Sequence, residues 1–98
     1  MADTLINGVF KINRWLRDAA NGAPDACFEL GIAYASGLDG IAADYVEAHK
    51  WFNLAAMGGD DRAQQYRADL AAEMSARDIA LAQRAARDWL VGVPRQAA

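Results

Sequence analysis

Four features of this 98-residue chain have the residue types that chemistry uses, and none has the surroundings that chemistry needs. Cys27 is the only cysteine, so it cannot pair within the chain. It has no His or Lys within a helical turn to hold a thiolate, and it reads as a small residue at a helix contact. His49 is the only histidine, and the positions one turn away are Tyr45 and Asn53, so no metal-binding pair forms. It reads as an exposed helix residue. Asp25 and Glu29 are four apart, which puts two carboxylates on one helix face as an acid/base site would, but no second element supplies partners. They read as a solvated acidic face. Gly37-x2-Gly40 lacks the Lys-Ser/Thr that completes a phosphate-binding loop, and it reads as a helix connection. The expectation is a protein with no catalytic residue, no metal and no cofactor.

The elements that carry these residues follow from apolar spacing and end signals. The first helix is predicted from about Gly8 to Ala20, with Val9, Ile12, Leu16 and Ala19 on one face and Asn21-Gly22 as its stop. Pro24 opens the second, where its missing N–H costs nothing, with Ala26, Leu30, Ala33, Tyr34 and Gly37 as its stripe. Residues 37–43 form a loop. Asp44 caps the third helix with Glu47 three residues on, and its buried face is Ala48, Trp51, Phe52, Ala55 and Ala56. Gly58-Gly59 ends it. Asp60 or Asp61 caps the fourth, with Ala63, Tyr66, Leu70 and Met74 in line. Ser75, with Asp78 three residues on, starts the fifth, whose stripe is Ile79, Ala82, Ala86, Trp89 and Leu90, and Gly92 and Pro94 end it before a loose tail, 92–98. No segment alternates as a strand would. The reading is all-α, five short helices joined by tight turns, with neighbours antiparallel.

Composition fits that reading. Hydrophobic residues make up 54% and the formal net charge is only -3, which excludes disorder and permits one small globular domain spanning 1–98. An acidic balance argues against a nucleic-acid partner. No apolar run is long enough to span a membrane, and Asp3 stands where a secretory signal would be basic, so no membrane insertion and a cytoplasmic setting are expected. Charge is uneven: residues 1–61 carry four basic and nine acidic side chains, whereas 62–98 carry six basic and four acidic. About a quarter of the chain is alanine. Many of these alanines recur at equivalent places. Trp15-Leu16-Arg17-Asp18-Ala19-Ala20-Asn21-Gly22 returns as Trp51-Phe52-Asn53-Leu54-Ala55-Ala56-Met57-Gly58, 36 residues later, a period that fits a two-helix unit. Gly31, in mid-helix, costs about 1 kcal/mol relative to Ala, and a close backbone contact is expected to offset it.

The pattern Ala26-x3-Leu30-Gly31-x2-Tyr34-x2-Gly37, followed by Gly40-Ile41-x2-Asp44-x3-Ala48-x2-Trp51-x3-Ala55-Ala56-x-Gly58, resembles the Sel-one-like repeat, a relative of the tetratricopeptide repeat. The resemblance covers one full unit, 23–59. Residues 8–22 resemble the second half of a preceding unit. Residues 60–91 resemble a degenerate repeat helix, with Arg67 where the family has Leu and Ala71 where it has Tyr, followed by a terminal capping helix. The loop has two residues, Leu38 and Asp39, between its glycines where the family more often has one. Outer faces are polar at both ends, with Lys11, Arg14 and Asp18 at one and Arg77, Arg84, Arg87 and Asp88 at the other, as capping helices require. The chain is therefore expected to be a complete minimal domain.

The resemblance implies a short right-handed α-α superhelix that serves as a non-enzymatic scaffold for protein–protein interaction, an adaptor or regulator. Its matched residues, Leu30, Gly31, Tyr34, Ala48, Trp51, Ala55 and Ala56, are structural in the family. It also implies that the first helix of each pair lines a concave groove. On the second helix that surface is Asp25, Phe28, Glu29, Ile32 and Ser36, and by spacing Arg62, Gln65, Tyr66 and Asp69 match it on the fourth. Phe28 and Ile32 are apolar among acids, the composition of an interaction surface. The expected ligand is a peptide or helix of a partner protein, basic in character. The alternative is a homodimer or larger homo-oligomer assembled through the groove or a helix end.

Overall fold

The structure, a computed structural model, describes residues 2–92; of the tail expected at 92–98, Gly92 is instead the last residue of a helix and 93–98 lie outside the described residues. Five α-helices follow one another: α1 (Ala2–Ala20), α2 (Pro24–Ser36), α3 (Tyr45–Met57), α4 (Asp61–Ala71) and α5 (Ala76–Gly92). A short 3-10 turn, Leu38–Gly40, interrupts the connection between α2 and α3. No strand occurs among the described residues, and none of the helices is long and apolar enough to cross a membrane. The fold is an all-α helical repeat.

Most helix ends lie where their chemistry puts them. The Asp44 carboxylate accepts from the Glu47 amide at 3.1 Å, that of Asp60 from the Arg62 amide at 3.0 Å, and the Ser75 hydroxyl from the Asp78 amide at 3.1 Å. Each satisfies an amide that the first helical turn leaves without a partner. Gly37 closes α2 at a φ of 70°, a left-handed conformation that suits glycine. The first helix differs from expectation. It begins at Ala2 rather than Gly8, and Gly8 is buried inside it. No Gly or Pro precedes Gly8 to stop the helix, and α1 packs against the 3-10 turn as well as α2.

The centre of the molecule is the antiparallel pair α2–α3. The Asp44 amide donates to the Tyr34 carbonyl at 2.8 Å, tying the start of α3 to the end of α2, while Gly58 beyond α3 lies against Pro24 at the start of α2. Leu30, Trp51 and Phe52 are the largest fully buried side chains. Ala26, Ala33, Ala48, Ala55 and Ala63 fill the helix contacts around them. Gly31 has its own cause: a Cβ there would stand 2.5 Å from the Phe52 ring. The expected close contact is therefore with an aromatic side chain, not with backbone.

α1 packs on α2, whereas α4 and α5 both pack on α3. Trp89 of α5 meets Trp51 edge-on at 4.8 Å between ring centroids, a favoured aromatic geometry. Three residues assigned to apolar stripes are exposed, Val9, Tyr66 and Leu90, because no element among the described residues covers them fully.

Candidate functional site

α2 and α4 lie side by side in one layer, with Phe52 of α3 behind them. Between them runs a groove of about 260 Å3 lined by Ile32, Ala35 and Ser36 of α2, by Phe52, and by Tyr66, Asp69, Leu70 and Glu73 on and just beyond α4. Its floor is aromatic and aliphatic. Tyr66 is held there by edge-on contact with Phe28 (centroids 5.1 Å apart) and by Phe52 (5.6 Å), yet remains 46% exposed. A ring packed on two others yet half-exposed is well placed as an aromatic contact residue.

The rim is polar and negative. Gln65 donates to Asp69 at 2.8 Å and fixes that carboxylate at the edge. The Ser36 hydroxyl donates to the Ile32 carbonyl at 2.7 Å, so the free capacity it offers a ligand is as an acceptor. No basic side chain lines the groove, and neither Asp69 nor Glu73 is in an ion pair among the described residues. Such a surface favours an apolar side chain with cationic neighbours.

Of the residues expected to form the binding surface, Ile32, Ser36, Tyr66 and Asp69 line this groove. Gln65 stands outside it and positions Asp69. Asp25 and Glu29 line a different depression, between α1 and α2, with Arg14, Trp15 and Asp18. Phe28 is not an exposed anchor: it is 5% accessible. Phe52 and Tyr66 pack on its ring, and the Arg62 guanidinium lies 3.9 Å from its centroid. Arg62 is itself fixed by Asp60, at 2.6 and 3.0 Å, and lies 3.6 Å from Asp25. Ala35, Phe52, Leu70 and Glu73 were not foreseen as lining. Glu73 had a signal, since it is one turn from Asp69, and Phe52 is marked by the glycine that faces it.

The chemically capable residues sit apart from the groove. Cys27 is buried, and that burial pushes its thiol up to about 11, far from a thiolate near neutrality. His49 is 3% accessible rather than exposed as its helix position suggested. Arg67 of α4 reaches across to Asn53, one turn further along α3 from His49, so this face of α3 is covered. Burial, and then the charge of Arg67, lower the His49 pKa, and its Nδ1 has no hydrogen-bond partner. No group of three or more metal-ligating side chains gathers among the described residues.

Among known families, the model described as Sel1 repeat matches residues 24–60, the stretch from Pro24 at the head of α2 to the cap of α4. No curated protein matches the chain. Residues 24–60 are thus similar to a Sel1 repeat, and repeats of that family generally mediate protein–protein interaction.

Proposed function

We propose that this chain, built around one Sel1 repeat, is a non-enzymatic adaptor or regulator that takes a peptide or helix of a partner protein in the α2–α4 groove. One observation carries the reading: an apolar floor of Ile32, Phe52, Tyr66 and Leu70 lies under a rim whose charges, Asp69 and Glu73, are both negative and unpaired among the described residues. An apolar anchor from the partner meets Tyr66 and Ile32, and its basic neighbours meet the rim, an arrangement that gives affinity from burial and register from charge. The proposed setting is the cytoplasm, and nucleic acid and membrane are not proposed partners.

The test is affinity capture from cell extract with wild type beside Tyr66→Ala and Asp69→Lys/Glu73→Lys, each confirmed to be folded by circular dichroism. The expected result is a set of proteins retained by wild type and lost from both variants. Capture of the same proteins by all three would overturn the groove assignment. A mass by light scattering that shows a dimer in wild type and a monomer in the groove variants would instead favour self-assembly.

A further inference from the structure

The outer face of α5 is a second surface, and the reasoning about it is independent of the groove. A helix turns about 100° per residue, so Arg77, Ala80, Arg84 and Arg87 stand opposite the buried Ala82 and Ala86. With Leu81 and Gln83 they bound a depression of about 290 Å3. Leu81 is 45% exposed beside these charges. The other α4–α5 arginines are engaged by neighbours, Arg62 by Asp60 and Arg67 by Asn53. Arg77, Arg84 and Arg87 form no ion pair among the described residues, and Asp88, near them on the same helix, pairs with none of them. A chain with 13 acidic and 10 basic side chains thus gathers three unpaired guanidiniums around one exposed leucine.

We propose that this face docks a short acidic, partly apolar segment of a protein partner. A guanidinium presents a planar fork that matches a carboxylate with two parallel hydrogen bonds. Leu81 requires an apolar side chain in register with those carboxylates. From Arg77 to Arg87 is ten residues, about 15 Å at 1.5 Å per residue, the length of roughly three helical turns. A short acidic helix therefore matches the face from end to end. The chain's net charge of -3 repels long polyanions, which disfavours nucleic acid and anionic bilayers relative to a short segment that touches only this face.

The experiment is fluorescence anisotropy with a labelled 14-residue alanine-based helical peptide carrying Glu at positions 1, 8 and 11 and Leu at position 5. Wild type is expected to bind it, and the affinity to fall at least tenfold between 20 and 200 mM salt. It should also fall at least tenfold in Arg84→Gln/Arg87→Gln. Leu81→Ser should weaken binding, and Arg84→Lys/Arg87→Lys should bind at an intermediate level, which keeps the test sound even where the glutamine variant loses helicity. The groove variant Asp69→Lys/Glu73→Lys should bind the peptide as wild type does. Equal binding by the glutamine variant, or by a peptide with Gln in place of Glu, would overturn the proposal. So would tighter, arginine-dependent binding of a 14-nucleotide oligothymidylate or of phosphatidylserine vesicles, or a dimer in solution that the glutamine variant dissociates.

Discussion

Two residues tie local chemistry to stability. Gly31 exists for Phe52: a methyl group there would lie 2.5 Å from two atoms of a ring that is itself buried against Phe28 and Tyr66. Gly31→Ala gains about 1 kcal/mol of helix propensity, but overpacking costs typically 1–3 kcal/mol, so the net expectation is destabilisation, measured as a lower urea midpoint with unchanged slope. His49 sets a pH dependence. Its folded-state pKa lies below the ordinary value near 6.5 because burial and Arg67 disfavour the charged ring. The unfolded chain therefore takes up the proton first. The stability linked to His49 is complete above about pH 6.5 and is lost as pH falls below it, through the folded-state value. Thermal melts between pH 7.5 and 5 should show this loss in wild type and a smaller one in His49→Gln.

At the scale of elements, α4 is the shortest of the five α-helices and also one wall of the groove. Its amide end is held by Asp60, which caps Arg62 and grips its side chain, and that guanidinium covers Phe28. Asp60→Ala should cost about 1–2 kcal/mol, chiefly from the lost cap, with the Arg62 pair adding less because its guanidinium is half-exposed; chemical denaturation measures it. Helix ends of this kind were legible in the sequence because Pro24, Asp44, Asp60 and Ser75 act within a few residues of themselves. The start of α1 was not, for no punctuating residue precedes Gly8 and the 3-10 turn on which α1 packs is distant in the sequence. Phe28 and His49 were misplaced for a related reason. A helical wheel gives the angle of a side chain but not the position of a third helix, and α4 covers both. Ile32, Ser36, Tyr66 and Asp69, four of the nine residues expected on that surface, share one groove because the equivalent helices lie side by side, so that one spacing rule places residues on both walls.

The whole molecule is a slab of 39 × 36 × 22 Å. Its thickness is that of two helix layers at about 10 Å each, and the groove opens along one layer while the α5 face closes one end. Both end helices are basic outward, with exposed Lys11, Arg14 and Arg17 on α1 and Arg77, Arg84 and Arg87 on α5. Stacking one copy end-to-end on another therefore brings like charges together, which disfavours growth of a longer array. Light scattering at low and high salt is expected to give the monomer mass at both, and end-to-end association, if present, would strengthen as salt screens the repulsion. The central claim is that a partner's peptide lies between α2 and α4. Hydrogen–deuterium exchange of the chain with and without a captured partner tests it most directly. Slowed exchange over residues 32–36 and 66–73 is the predicted result, and slowed exchange that leaves both α2 and α4 unchanged would contradict it.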